Sequence, residues 1–372
     1  MSAAKKKNKI KVPANIEELV PYPPGKPIEE LERELGISDS IKLASNENPL
    51  GPSRSAILKA MGVLGDVNRY PDGSCFYLKE KAAASFGVLP ENLIFGNGSN
   101  EIIELLLRTF ADGGEVLFGE PSFAVYPIIS KACGAIPVSV PLTKDLKIDL
   151  KAMAEKVTKK TKVVFIANPN NPTGTYNTAD EVTEFLDNIP EDVIVCLDEA
   201  YYEYVTADDF PKSVKYVLKE RAVVVLRTFS KIYGLAGLRI GYAITRPDIV
   251  EYIDRVRQPF NVSSIAQAAA IGALRDESHV EASRKLNENG FNFLLPKLKE
   301  LDFKTVDSQA NFFLINVGDG EKVYNDLLKK GVIVRPMKGY KLPEYIRITI
   351  GTQAENERFI EALCEVTGRA LK

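Results

Sequence analysis

Lys231 closes the segment Arg227-Thr228-Phe229-Ser230-Lys231, just beyond a predicted strand at Ala222–Leu226. Lysine resists desolvation, so an amine held there has its pKa pushed down, and the neutral amine is the form that makes imines. Arg239 follows eight residues later, inside Gly234-Leu235-Ala236-Gly237-Leu238-Arg239-Ile240-Gly241. The glycines let backbones approach closely, and a guanidinium grips a phosphate bidentately. Asp198 ends the apolar run Val193–Leu197, where α/β sheets place ligands. A carboxylate there can pair with a protonated pyridine nitrogen and keep that ring an electron sink. Tyr201, three residues on, can reach the same ring from the following turn. Asn168-Pro169-Asn170-Asn171-Pro172-Thr173-Gly174 is a stiff turn that can aim the Asn171 amide. Gly96-Asn97-Gly98-Ser99-Asn100 precedes a predicted helix whose free N–H groups suit phosphate. Taken singly, each has a plainer reading: Lys231 in an exposed loop, Asp198 as a helix cap, Asn171 in a structural turn before a helix capped near Thr178. The glycine turn is far from dinucleotide or ATP patterns.

The elements that must position these residues are short apolar runs separated by helical periodicity. Leu93–Phe95, Val116–Phe118, Val138–Val140, Val163–Ala167, Val193–Leu197, Val223–Leu226 and Gly241–Ile244 read as strands, and Glu101–Phe110 as an amphipathic helix. Continuous apolar runs are what strands covered on both faces require. The pattern predicts an α/β fold with a mostly parallel, helix-covered sheet in a large domain. After about residue 280, a long helix leads to predicted strands at Phe312–Asn316, Val332–Pro336 and Ile346–Ile350, then to a helix from about Ala354. These form a smaller α/β domain. The expected division is 1–45 as an N-terminal arm and part of the small domain, 46–280 as the large domain and 281–372 as the small one. The first forty or so residues read as irregular, with Pro21-Tyr22-Pro23-Pro24-Gly25 as a surface arm.

Composition excludes several classes. A net charge of -2 over 372 residues gives no basic field for nucleic acid or an anionic membrane. The cluster Lys5, Lys6, Lys7, Lys9 and Lys11 reads as a solvated terminus. No apolar run reaches transmembrane length and the first residues lack a signal core. Cys75, Cys133, Cys196 and Cys364 are spread without a CxxC pair, Cys196 as a buried thiol, which points to the cytoplasm. The single histidine, His279, has no Cys or His partner nearby, so it reads as a surface residue, with no metal site.

In order, the glycine turn, Asn-Pro-Thr-Gly, Asp-x-x-Tyr, Ser-Lys and the later Arg cover about residues 96 to 241. This set resembles the fold-type I pyridoxal-phosphate enzymes of the class I/II aminotransferase group. Pro21-Tyr22-Pro23-Pro24-Gly25-Lys26-Pro27, Leu43-Ala44-Ser45-Asn46-Glu47-Asn48-Pro49-Leu50-Gly51, Arg69-Tyr70-Pro71-Asp72-Gly73, Val334-Arg335 and Arg347 in Tyr345-Ile346-Arg347-Ile348-Thr349 extend it along nearly the whole chain, and narrow it to the histidinol-phosphate aminotransferases. The resemblance implies pyridoxal 5'-phosphate carried on Lys231 as a Schiff base. It implies Asp198 on the pyridine nitrogen, Tyr201 and Asn171 on the phenolic oxygen, and Phe123 stacked on the ring where many relatives have Tyr. Ser99, Asn100, Ser230 and Arg239 would hold the phosphate, with Tyr70 reaching in from the other subunit of a homodimer. Asn100 stands where relatives often have Asp. Tyr22, Asn48, Arg335 and Arg347 would bind substrate. The implied reaction converts L-histidinol phosphate and 2-oxoglutarate to imidazole acetol phosphate and L-glutamate by ping-pong kinetics. Alternatives are an aromatic amino-acid aminotransferase, a phosphothreonine decarboxylase of the same fold, or a non-catalytic cofactor-binding protein.

Overall fold

Seven runs of aliphatic and β-branched residues become one sheet: β1 (Leu93–Gly96), β2 (Glu115–Glu120), β3 (Ile136–Pro141), β4 (Thr161–Ala167), β5 (Ile194–Asp198), β6 (Val223–Thr228) and β7 (Gly241–Ile244). The computed structural model describes residues 10–22 and 25–371. Lys5, Lys6, Lys7, Lys9, Pro23 and Pro24, which carry part of the expected N-terminal arm, lie outside the described residues. The strand order is β1-β7-β6-β5-β4-β2-β3. Every neighbouring pair is parallel except those made by β7, which runs against both β1 and β6. All residues of β5 and β6 are buried, so both faces are covered, as continuous apolar strands require.

This topology collects the chemistry. Ala167 pairs with Asp198, Asp198 with Leu226, Thr228 with Gly241, and Gly241 with Gly96. The carboxyl ends of β4, β5, β6 and β1, and the start of the reversed β7, therefore share one edge. Open α/β sheets bind ligands just outside such an edge. Local signals fix the turns leaving it. Thr178 Oγ1 accepts from the Glu181 N–H while the Glu181 carboxylate accepts from the Thr178 N–H, which starts the helix Ala179–Asp187.

A second core forms around Leu294, Leu298, Phe313, Ile346, Ile348 and Phe359. It backs a four-stranded antiparallel sheet in the order Arg335–Pro336, Tyr345–Thr349, Phe312–Asn316, Lys304–Thr305. The expected single strand Val332–Pro336 is split. Val332–Ile333 pairs in parallel with Ile41–Lys42, whereas Arg335–Pro336 joins the four-stranded sheet. The chain changes partner at Val334, so one apolar run serves two sheets. The expected irregular start also needs correction: Ala14–Glu17 and Ile28–Leu35 are helical. Pro27 precedes the first turn of the second, Gly36 ends it at φ 64°, and Leu31 buries its apolar side. His279 is half-buried rather than on the surface, with Nε2 covered and without a hydrogen-bond partner, because the helix Glu277–Glu300 lays it inward.

Candidate active site

A cavity of about 590 Å³ opens at the carboxyl edge. One end is built from the turn after β1. Gly98 has φ 76°, and a Cβ there would lie 2.6 Å from the Arg239 guanidinium; a Cβ on Gly241 would lie 2.5 Å from the Ser99 nitrogen. Glycine at both positions lets Arg239 settle onto the first turn of the helix Ser99–Phe110. Arg239 is itself left-handed, at φ 55°, and donates from Nη1 to the Ala236 carbonyl at 3.0 Å. Ser99, Asn100, Thr228 and Ser230 line the same end. Free helix N–H groups, hydroxyls and a guanidinium make a cradle for a phosphate.

Asp198 stands at the end of β5, 6% exposed. Its Oδ2 accepts from the Tyr126 hydroxyl at 2.7 Å and its Oδ1 from the Ala200 N–H at 3.2 Å. Burial pushes its carboxyl up to about 6, while the Tyr126 and Ala200 hydrogen bonds and the Lys231 charge pull the other way. Beneath it Glu199 receives two hydrogen bonds from Arg227, at 2.9 and 2.8 Å, in a pair buried on both sides. The Arg227 guanidinium lies 3.5 Å over the Tyr202 ring.

Lys231 lines the cavity and donates to the Ser45 carbonyl at 3.1 Å. Burial, then the charges of Arg347 and Arg239, hold its amine down at about 8, against the opposing pull of Glu47 and Asp198. The Tyr201 hydroxyl accepts from the Asn46 amide at 2.9 Å, and burial keeps that phenol well above its ordinary value. Phe123 presents its ring to the cavity, edge-on to Tyr126 at 5.6 Å.

The far wall carries two arginines. Arg347 is 5% exposed, donates to the Asn171 side-chain oxygen and, at 2.8 Å, to the Ala44 carbonyl, and keeps its Nε buried without a partner. Arg335 lies 5.6 Å over the Tyr22 ring. Both arginines and Tyr22 line the cavity.

Of the expected site residues, Ser99, Asn100, Phe123, Asn171, Asp198, Tyr201, Ser230, Lys231, Arg239, Tyr22, Arg335 and Arg347 come together here. Two do not. Asn48 is away from the lining: its amide donates to the Ile232 carbonyl and Ser283 hydroxyl, and its oxygen accepts from the Leu50 N–H. Those bonds use both amide hydrogens and one lone pair of the oxygen, so the side chain staples the segment. Tyr70 is 83% exposed and stacks on Phe260 at 4.9 Å, outside this chain's cavity. Sequence reasoning gave no role to Asn46, Tyr126, Ser45 and Thr228, although Ser45 and Asn46 lie in the marker run Leu43–Gly51 and Thr228 lies three residues before Lys231.

Residues 38–363 match the aminotransferase class I and II family. A histidinol-phosphate aminotransferase of Anaeromyxobacter sp. is 49% identical over 360 residues, covering 96% of this chain and 99% of that relative. One from Moorella thermoacetica is 48% identical over 349 residues, covering 93% and 90%. The crystal structure of histidinol-phosphate aminotransferase from Sinorhizobium meliloti, in complex with pyridoxal-5'-phosphate, superposes with a TM-score of 0.87 at 28% identity, covering 97% and 99%.

Proposed function

The chain belongs to the class I and II aminotransferases, and from that premise we propose that it moves an amino group between L-histidinol phosphate and 2-oxoglutarate, giving imidazole acetol phosphate and L-glutamate, with pyridoxal 5'-phosphate as cofactor. The observation that carries this reading is the meeting of Lys231, Asp198, Arg239 and Arg347 in one cavity, in a chain nearly half identical to histidinol-phosphate aminotransferases along its length. The residues present fit the cofactor. A phosphate cradle sits at one end, a buried carboxylate stands at the base, and an amine with depressed pKa lies beside them. When bound, pyridoxal phosphate supplies an electrophilic carbon for amines and a ring that takes up the electrons freed when the α proton leaves.

Lys231 is the residue that would hold the cofactor's aldehyde carbon, and would then hold and move the proton. With its pKa at about 8, about a tenth of the amine is neutral at pH 7, far more than an exposed lysine offers. Asp198 would pair with the pyridine nitrogen. Tyr201 and Asn171 would serve the phenolic oxygen, and Phe123 would cover the ring face. Ser99, Asn100, Ser230 and Arg239 would hold the phosphate. Arg335 and Arg347, with Tyr22, take the phosphate of one substrate and the carboxylates of the other, since a guanidinium fork fits either anion.

The two separate cores support residues 46–280 as the large domain and 281–372, joined by part of 1–45, as the small one. The exposed apolar side chains of Ile57, Leu58, Met61, Leu64, Tyr70, Phe76 and Tyr77, close together in sequence, support a homodimer, in which Tyr70 would serve the neighbouring subunit's cavity. The free cysteines suit the cytoplasm. The test is a single-turnover titration of the yellow holoenzyme. Histidinol phosphate should bleach the band at lower concentration than L-phenylalanine does. The reverse ranking would make the chain an aromatic aminotransferase.

A further inference from the structure

We propose that Tyr126 is a positioning residue for the cofactor's pyridine nitrogen, acting through a hydrogen bond that holds Asp198 ionised and facing the cavity. The proposal rests on the pyridoxal-phosphate reading above. Tyr126 is fully buried as the second residue of the helix Val125–Ala132. Its ring stacks on Phe165 of β4 at 4.5 Å with 7° between planes, and Phe123 meets it edge-on. Packed on both sides, the phenol has one direction to point, and it donates to Asp198 Oδ2 at 2.7 Å.

The groups facing Asp198 leave this bond a specific task. Burial favours the neutral acid, and so does the carboxylate of Glu199 next to it, although Arg227 pairs with that neighbour. Cys196 on the same strand and Tyr201 in the following turn are pushed well up by burial, so both stay neutral. Lys231 adds a favourable charge only while protonated, and the Ala200 N–H is a long donor at 3.2 Å. Tyr126 is therefore the short, permanent donor. Burial, and Asp198 itself, hold its phenol far above the ordinary value, so it keeps its proton throughout the working range. A neutral donor aimed at a desolvated carboxylate favours the charged form without competing for the cofactor as a cation would. Each oxygen of Asp198 also keeps a second lone pair for the ring nitrogen.

The experiment measures equilibrium binding of pyridoxal phosphate to the cofactor-free full-length protein between pH 5 and 9. It is repeated with an analogue in which C–H replaces the pyridine nitrogen. Tyr126→Phe removes one oxygen and keeps the stacked ring. We expect it to move the acid limb of binding up by about one pH unit, which from the Asp198 value of about 6 weakens pyridoxal phosphate about twofold at pH 7 and about tenfold at pH 5. The analogue, which has no nitrogen for Asp198 to hold, should change by less than about twofold at pH 5. Equal losses for both ligands would mean that Tyr126 only packs, and would overturn the proposal; so would an unmoved acid limb. If wild-type protein itself fails to bind pyridoxal phosphate, the cofactor reading falls and takes this proposal with it. Should Tyr126→Phe not fold, Tyr126→3-fluorotyrosine keeps the oxygen and strengthens the donor. The limb should then move down, and an unmoved limb overturns the proposal.

Discussion

Lys231→Met in the cofactor-free protein should stabilise the fold at neutral pH. The amine's ordinary value of 10.5 is held down at about 8 by burial and by Arg347 and Arg239. At about 1.36 kcal/mol per pH unit, keeping it charged in the folded chain costs about 3.4 kcal/mol. The side chain is only half-buried, and solvent screening trims this to about 2 kcal/mol. Below pH 8 the folded and unfolded amines are both protonated, and the folded one bears that desolvation. Between about 8 and 10.5 the unfolded chain keeps a proton that the folded one has lost, so wild-type stability rises with pH through this window. Methionine has no charge to desolvate and fills similar space. The assay is urea unfolding of both cofactor-free proteins at one fixed protein concentration, at pH 7, 8.5 and 10. The variant should lead by about 2 kcal/mol at pH 7, with the gap closing towards pH 10.5. A variant no more stable at pH 7 would refute a desolvated amine. A gap constant across pH would assign the effect to packing. The expected result would show stability given up to keep a reactive amine at the site.

Other perturbations separate the remaining parts of the site. Asp198→Asn should lower kcat at least about a hundredfold, ~2.7 kcal/mol of barrier, because a neutral amide no longer keeps the pyridine nitrogen protonated; steady-state kinetics with saturating cofactor would read this. Arg227→Met strands the Glu199 carboxylate in the core and should cost about 3–5 kcal/mol in urea unfolding, whereas Arg227→Met with Glu199→Leu should recover most of it. Equal losses in the single and double variants would show that the pair's charge is not what matters. Arg347→Lys keeps a charge but loses the planar fork, and should raise KM for 2-oxoglutarate about tenfold, ~1.4 kcal/mol, with little change in kcat. A fall in kcat with KM unchanged would place Arg347 in the chemistry instead of in anion binding.

Much of this was readable from the chain because it is local. Whether a run becomes a buried strand depends on its own side chains, so β1 to β7 lie within a residue or two of where apolar runs predicted them. Parallel strands then bring the residues that follow them onto one edge, so Asn171, Asp198 and Lys231, far apart in sequence, meet in one cavity, where the resemblance of the motif set had placed them. The split of Val332–Pro336 was not legible, since both halves are equally apolar and only the partners differ.

The sequence determined which groups are present: an amine past a strand, a carboxylate at a strand end, glycines where a guanidinium must approach. The tertiary structure decided their partners. Tyr126 reaches Asp198 across 72 residues, Asn46 reaches Tyr201 across 155, and Arg347 reaches Asn171 across 176. Within Asn46-Glu47-Asn48 it turned the first asparagine to the site and tied up the second. Local propensity cannot rank two asparagines two residues apart. That choice follows from which donors and acceptors the packed sheet, the second core and the long helix bring within about 3 Å, and those distances exist only once remote segments have packed.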